Sequence, residues 1–332
     1  RLANALGLEA FGNVETRVAP EAFAEAGVEP RGELWAAMLD TKQSWDDLIR
    51  RHAPDARTRD AILANPLYQN LMGRFVQSHD YIAMERLYEL HAAGTYDLIV
   101  VDTPPTRNAI DFLEAPQRMA EFFSSRLLRW LTAPARSRLV NFASKPFYTV
   151  ADRILGTQFL QDIAEFFMLF QSMYDGFVER ARAVEKVLTD RRSTFIVVST
   201  LESAPTREAE FFIAELEARR LHLGAVVLNK VLPSSLLDRQ ATTVAKRFEA
   251  DAAGVATATV PALSAPADAA ALERVLREVG ASFLNFQVVA TREAETRARL
   301  AGDPEVTASV PYFDSDIFDL GGLVRLGESV WR

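Results

Sequence analysis

The sequence has no cysteine. This absence excludes disulfide bonds, thiolate zinc sites and cysteine nucleophiles. Histidine is also scarce. The four histidines are His52, His79, His91 and His222, and their spacing fits no metal site. We therefore expect no zinc and no metal chemistry centred on cysteine or histidine.

Positive charge and long apolar runs are lacking as well. The chain carries 37 Lys and Arg residues against 45 Asp and Glu residues, for a net charge of -8. This acidic balance disfavours generic binding of nucleic acid. No apolar run approaches the roughly 20 residues that a transmembrane helix needs, and the first residues do not have the pattern of a signal peptide. We expect a cytoplasmic protein without a nucleic-acid partner.

Length and composition are those of an ordinary globular protein. The 332 residues are 49% apolar and 25% charged. Such a chain can form one large α/β domain with an attached helical part, or two domains.

One stretch, residues 95–106, combines a strand pattern with a candidate metal ligand. Its residues 98–101 are an unbroken β-rich apolar run, which predicts a strand buried on both faces of a parallel sheet. Asp102 follows at the carboxyl end of this run, and two prolines then prevent the strand from continuing. Because open α/β sheets bind ligands beyond the carboxyl ends of their strands, Asp102 is well placed to hold Mg²⁺, directly or through water. The alternative is an acid that only caps the strand.

The run Asp102-Thr103-Pro104-Pro105-Thr106 resembles the switch II/Walker B segment of the deviant-Walker P-loop ATPases. Its continuation, residues 107–116, is similar to the bacterial ArsA-like anion-transporting ATPases, which are relatives of the ATPase that targets tail-anchored membrane proteins. The likeness extends over nearly the whole chain. It implies that Asp102 and Thr103 are catalytic and that Pro104, Pro105 and Thr106 form a nucleotide switch. The classical arsenite pump uses cysteines, so arsenite transport is disfavoured here.

Further apolar runs predict the rest of an α/β sheet. The predicted strands are 32–40, 194–199, 224–230, 283–290 and 306–313, in addition to 98–101. The strand-helix-strand spacing from 194 to 230 predicts a parallel βαβ unit. Helices are predicted at 41–49, with Asp40 or Thr41 as the cap, at 58–63, and at 68–90, ending at Gly94. Residues 236–280 have a helical pattern interrupted by an Ala-rich stretch, 252–271, which predicts a surface loop.

Residues 112–188 differ in composition and predict a helical subdomain. A helix predicted from 156 to 188 carries an apolar stripe at three- and four-residue steps. The stripe includes Phe159, Ile163, Phe166, Phe167, Phe170, Met173 and Phe177. One interpretation is a seam that packs inside the subdomain. The other is a groove for an apolar client or lipid, as the resemblance implies, and a basic excess in residues 116–153 would suit an anionic membrane surface.

Two pairs of residues are candidates for the nucleotide base. Asn229 and Lys230 form the exit of the predicted strand segment 224–230, where an Asn amide can contact a base edge. Alone, this pattern equally fits a turn. The resemblance implies that Asn229 contacts adenine and that Pro311 and Phe313, at the end of the predicted strand 306–313, flank it.

A phosphate-binding loop, Gly-x-x-x-x-Gly-Lys-[Ser/Thr], does not occur in the sequence. In the ATPase family that the sequence resembles, this loop precedes a segment similar to residues 1–8. We therefore expect roughly 30 or more residues, one βα unit, upstream of Arg1. The alternative is a subunit without a P-loop.

Taken together, the patterns and the resemblance predict an α/β fold of the P-loop NTPase type. The sheet is expected to be doubly wound and mostly parallel, built from 1–111 and 189–332, with 112–188 as the inserted helical subdomain. The predicted function is a dimeric ATPase that uses ATP/ADP and Mg²⁺ and repositions its helical subdomain. It pairs with itself or with a related subunit, in the cytoplasm or peripheral to the membrane. The alternative is a non-catalytic binding subunit for a P-loop-bearing partner. A MinD/ParA-like positioning ATPase is a third candidate.

Overall fold

The computed structural model describes residues 2–8, 12–71, 76–103, 110, 112–115, 117, 118, 121, 165–263, 268–300 and 306–331. They form two compact units. Residues 6–193 make the N-terminal unit, and residues 194–332 together with 1–5 make the C-terminal unit.

The helices are α1 (Leu2–Ala5), α2 (Pro20–Glu25), α3 (Thr41–His52), α4 (Ala56–Ala64), α5 (Pro66–Leu71), α6 (Val76–Ala93), α7 (Tyr174–Thr189), α8 (Ser203–Ala218), α9 (Arg239–Ala250), α10 (Ala252–Thr259), α11 (Ala269–Leu300) and α12 (Leu320–Val330). The strands are β1 (Thr16–Arg17), β2 (Trp35–Ala36), β3 (Phe195–Ser199), β4 (Leu223–Val231) and β5 (Val306–Pro311). Short 3₁₀ turns lie at Ser234–Leu237 and Val260–Ala262.

The C-terminal unit contains a three-stranded parallel sheet in the order β3-β4-β5. The three strands, and the parallel pairing of β3 with β4 across α8, confirm the predictions made from their apolar runs. Val226, Leu228 and Val310 are buried in the sheet, while Ile196 and Val198 on β3 are 54% and 63% exposed. Among the described residues this sheet has three parallel strands, which is compatible with the predicted α/β fold but does not establish a doubly wound sheet.

The predicted strand 283–290 is wrong, because these residues lie inside the 32-residue helix α11. A short apolar run does not distinguish a strand from a packed helix. The helical face is visible in the packing: Gly280 and Ala290 are buried, and a Cβ at Gly280 would stand 2.8 Å from the carbonyl oxygen of Ala245 in α9. The predicted loop 252–271 is also wrong in part, since α10 is a helix with Ala252 and Ala256 buried.

The N-terminal unit is mostly helical. Its one described sheet is the antiparallel pair β1-β2, so the predicted strand 32–40 is reduced to two residues. Helix α3 begins as predicted, with the Asp40 carboxylate accepting from the backbone N–H of Gln43 at 2.7 Å. Gly94 ends α6 with a φ of +61°, a conformation that favours glycine.

Residues 98–101 have no strand partner in the part of the chain that the structure describes. Leu98 and Val100 are 79% and 83% exposed, so the predicted burial on both faces is wrong here. The run is local, whereas burial of a strand depends on neighbours from elsewhere in the chain. Among the described helices, none combines the length and apolarity of a membrane span.

Candidate functional site

A β-bulge lies near the carboxyl end of β4, where it pairs with β5, and it contains two of the predicted nucleotide-binding residues. Leu228 pairs with Ser309 and Val231 with Pro311, so Asn229 and Lys230 together oppose the single residue Val310. Such a bulge changes the direction in which side chains point, and bulges are frequent beside binding sites. The bulge therefore distinguishes this strand end from a regular one.

Local contacts fix the bulged residues. Lys230 has a φ of +59°, which is uncommon for a residue other than glycine. Its backbone N–H donates to Asn229 Oδ1 at 2.9 Å. This contact uses one of the two lone pairs of the amide oxygen, so the Asn229 side chain can still offer two N–H donors and one acceptor position to a ligand. Asn229 is half-buried, and Lys230 is exposed.

The structure brings the other pair of predicted nucleotide residues to the same place. The backbone N–H of Tyr312 donates to the carbonyl of Val231 at 3.1 Å, which holds the end of β5 against the end of β4. Pro311 is exposed, and Phe313 is half-buried. Asn229, Lys230, Pro311 and Phe313 thus all lie at the carboxyl edge of one parallel sheet.

A contact from α11 supports this edge. Glu293 accepts from the backbone N–H of Leu232 at 3.0 Å. At the end of the neighbouring strand β3, the Thr200 hydroxyl is buried and has no hydrogen-bond partner among the described residues. A buried hydroxyl without a partner costs free energy, so Thr200 is a further candidate at this edge. Its sequence signal, a Thr after a strand, is too common to have singled it out.

Asp102 and Thr103 belong to the N-terminal unit, at the end of the extended stretch that begins after α6. Both are exposed. The predicted switch residues Pro104, Pro105 and Thr106 lie outside the described residues. No group of three or more acidic or histidine side chains with the geometry of a metal site occurs in the described ranges. Magnesium bound to a nucleotide commonly uses only one or two carboxylates besides phosphate and water, so Asp102 by itself is a suitable ligand.

The aromatic stripe is largely internal. Phe166, Phe170, Met173 and Phe177 are each at most 4% exposed. They form one core with α3, α5 and α6, where Phe177 lies edge-on to Tyr81 with ring centroids 5.7 Å apart. Phe167 is half-buried against the same core. This arrangement is the one that the packing interpretation predicts. Phe159 and Ile163 lie outside the described residues.

Sequence reasoning missed a buried charged cluster in the N-terminal unit. Glu85 is 2% exposed and receives hydrogen bonds from the Tyr81 hydroxyl and from Arg180 Nε, the latter at 2.6 Å. Burial, followed by the neighbouring Glu85 charge, raises the pKa of Tyr81 well above its ordinary value of 10.0, so that the phenol remains a donor. Glu85 and Arg180 are 95 residues apart, and no local pattern could have paired them.

A cavity of about 10 Å³ lies beside this cluster, lined by Asn13, Ser44, Arg51, Ile82, Glu85, Arg86 and Glu89. It has room for about one water molecule. Ser44 donates to Asn13 at 2.6 Å across it. The Arg86 Nε is buried without a partner in the described structure, and a water in the cavity would satisfy it. The cavity is too small for a nucleotide.

Comparison with known proteins agrees with the resemblance seen in the sequence. The model of the family described as "Anion-transporting ATPase" matches residues 28–256, which is more than half of the chain. The match includes Asp102, Thr103, Asn229 and Lys230. A comparison with curated proteins gave no match.

Proposed function

The chain belongs to the anion-transporting ATPase family, and on this premise we propose that it is a dimeric ATPase that binds its nucleotide at the carboxyl edge of the β3-β4-β5 sheet. One observation carries the proposal. The bulge presents a half-buried amide, Asn229, and an exposed cation, Lys230, at the edge where open α/β sheets bind ligands.

Each residue at this edge has a role that suits its chemistry. The N–H donors of Asn229 would meet acceptor nitrogens on the adenine edge. Pro311 and Phe313 would flank the base and shield it from water. The Lys230 ammonium makes no ion pair among the described residues, and it would complement phosphate charge.

The resemblance also assigns roles to Asp102 and Thr103, which belong to the N-terminal unit. Asp102 would hold the water shell of a Mg²⁺ ion, which neutralises phosphate charge when it is bound. Thr103, together with Pro104, Pro105 and Thr106, would respond to the γ-phosphate and become ordered or released with the nucleotide state.

The output of this switch would be movement of the predicted helical subdomain, 112–188, in response to the nucleotide state. The buried stripe would then act as a packed seam that holds α7 and the helical residues 165–171 to α6. A client protein or an anionic membrane surface would contact other parts of this segment. We place this activity in the cytoplasm, with a second copy or a related ATPase subunit as the partner.

The test is ATP binding and Mg²⁺-dependent phosphate release by the polypeptide with its native N-terminus. Asp102→Asn should lower turnover by about 100-fold, as expected when a group that acts in the transition state is lost. Asp97→Asn, an exposed acid in the same stretch, is the matched control and should leave turnover unchanged. Circular dichroism verifies that both variants are folded.

A second variant separates binding from turnover. Asn229→Ala should weaken ATP binding by about tenfold, since a desolvated hydrogen bond is lost, whereas the exposed Asn4→Ala should not. Unchanged turnover in Asp102→Asn would remove that carboxylate from the mechanism. Turnover that appears only after a P-loop-bearing partner is added would favour the alternative, a non-catalytic binding subunit.

A further inference from the structure

The peptide group that joins Val231 to Leu232 is held at both of its ends. Its carbonyl oxygen accepts from the backbone N–H of Tyr312 at 3.1 Å, and its N–H donates to the Glu293 carboxylate of α11 at 3.0 Å. Because a peptide group is planar and carries one donor and one acceptor, the two contacts together fix the orientation of that plane. The contact with β5 is made by backbone atoms, whereas the contact with α11 depends on one side chain.

This peptide group is adjacent to all four candidate residues for the nucleotide base. It follows directly after the bulge formed by Asn229 and Lys230. Its partner Tyr312 stands between Pro311 and Phe313 in the chain. The orientation of the peptide group therefore influences how the Asn229 amide is placed relative to the two residues that would flank the base.

The bulge in turn fixes the Asn229 side chain. The Lys230 N–H donates to Asn229 Oδ1 at 2.9 Å, so the direction of that N–H determines how the amide plane is turned. Lys230 has a φ of +59°, a conformation that a residue other than glycine keeps only where the surrounding structure holds it. Glu293, 61 residues from Leu232 in sequence, contributes to holding it from outside the bulge.

Helix α11 is a firm support for the Glu293 carboxylate, because α9 holds the helix at two earlier points. A Cβ at Gly280 would stand 2.8 Å from the Ala245 carbonyl oxygen, so the two helices are in close contact there. Two turns later, the Gln287 side chain donates to the Thr242 hydroxyl of α9. These contacts and Glu293 extend over about 20 Å of one helix, at 1.5 Å per residue, and Glu293 itself is half-buried.

We propose that Glu293 is a positioning residue for the nucleotide base: through the peptide group between Val231 and Leu232, it sets the orientation in which the Asn229 amide meets the base. This inference rests on the proposed function, in which this edge of the sheet binds ATP. Adenine presents a donor, its N6 amino group, beside the acceptor N7, and an amide matches both with its oxygen and its N–H. Guanine presents two acceptors at the same positions, so an amide held in one orientation favours adenine over guanine.

Calorimetric titration of the full chain with ATP, GTP and inorganic tripolyphosphate gives the first test. Glu293→Ala should weaken ATP binding by about fivefold to tenfold, because the hydrogen bond that orients the site is lost, and should reduce the preference for ATP over GTP. Tripolyphosphate binding should change by less than about twofold, since charge attraction does not depend on the orientation of an amide. Glu293→Gln keeps an oxygen that accepts from Leu232 and should retain most of the ATP affinity. The exposed Glu295 of the same helix provides the matched control, and Glu295→Ala should bind ATP as the wild type does.

Amide hydrogen exchange without nucleotide tests the contact itself. The Leu232 N–H should exchange about tenfold faster in Glu293→Ala than in the wild type, because its acceptor is removed, and Glu295→Ala should leave that rate unchanged. Circular dichroism verifies that each variant is folded.

The outcomes separate this inference from the function on which it rests. If the wild type binds ATP and Glu293→Ala binds it equally well with the same preference over GTP, the positioning role is overturned. An equal loss of ATP and tripolyphosphate binding overturns it too, because the substitution would then have loosened the whole site. An unchanged exchange rate at Leu232 would show that Glu293 does not hold this peptide group in solution. A wild-type chain that binds no ATP would instead overturn the proposed function, and this inference with it.

Discussion

The Arg180 guanidinium donates to the Glu85 carboxylate at 2.6 Å inside the N-terminal unit, which joins α7 to α6. Their side chains are 10% and 2% exposed. The Tyr81 hydroxyl donates to the other carboxylate oxygen, so neither oxygen lacks a partner. Because α6 leads directly into the stretch that ends at Asp102, this contact helps to fix where that stretch begins.

Removing the negative charge should destabilise the protein. Glu85→Gln leaves the Arg180 charge buried without its counter-ion, and we expect a loss of about 3 kcal/mol in the free energy of unfolding, measured by urea denaturation of the full chain. Glu85→Met combined with Arg180→Met should lose less than Glu85→Gln alone, since no charge is then buried. The exposed ion pair of Arg59 and Asp60 provides the control. Asp60→Asn should leave the midpoint of urea denaturation unchanged. Equal stability of Glu85→Gln and the wild type would contradict this account of the pair.

Two helical glycines should respond in opposite directions to the same substitution. Gly280→Ala places a methyl group 2.8 Å from the Ala245 carbonyl oxygen, and should lower the free energy of unfolding by about 1–3 kcal/mol through overpacking. Gly327→Ala, in α12, meets no atom within 4 Å. It should raise the free energy of unfolding by about 0.5–1 kcal/mol, because alanine favours the helix. Thermal unfolding of the two variants and the wild type measures whether each substitution lowers or raises the free energy of unfolding. Tolerance of Gly280→Ala would show that α9 and α11 are not closely packed.

The backbone and the charge of Lys230 should have separable effects. Lys230→Gly suits the φ of +59° and should leave the fold at least as stable. Lys230→Val should cost about 1 kcal/mol, since a β-branched residue is strained in this conformation. Both variants lose the cation, so both should bind ATP more weakly in a titration, while Lys230→Arg should retain binding. Full ATP affinity in Lys230→Gly would exclude the ammonium from the site.

The carboxylate of Asp190, the residue that follows α7, should titrate at an unusually low pH. Hydrogen bonds from the Arg192 side chain, at 2.9 and 3.0 Å, and from its backbone N–H hold the pKa of Asp190 at about 2, below its ordinary value of 3.8. A lowered acid pKa means that the contact stabilises the fold fully above pH 3.8 and that this contribution is lost as the pH falls towards 2. Arg192→Ala should return the pKa of Asp190 towards 3.8, as followed by NMR of the side-chain carboxyl. No change in the titration would mean that Arg192 does not hold the carboxylate in solution.

The sequence by itself determined the features that depend on local order. The apolar runs of β3, β4 and β5, the cap at Asp40 and the stop at Gly94 are each encoded within a few residues, and the structure confirms them. Asn229 and Lys230 could be named from their place at the end of an apolar run, and Pro311 and Phe313 could be named from the resemblance of the last strand to the family. The family could also be recognised, because the motif after residue 101 is contiguous in the chain.

Only the tertiary structure decided the features that depend on residues distant in sequence. The run 283–290 is helical because its periodic face packs on α9, and the aromatic stripe is internal because Trp45, Tyr68 and Tyr81 cover it. The bulge at Asn229 exists only in the register of β4 against β5. Glu85 finds Arg180 across 95 residues. A local pattern specifies which residues are apolar or polar, but burial, register and ion pairing are settled by the partners that folding brings to them.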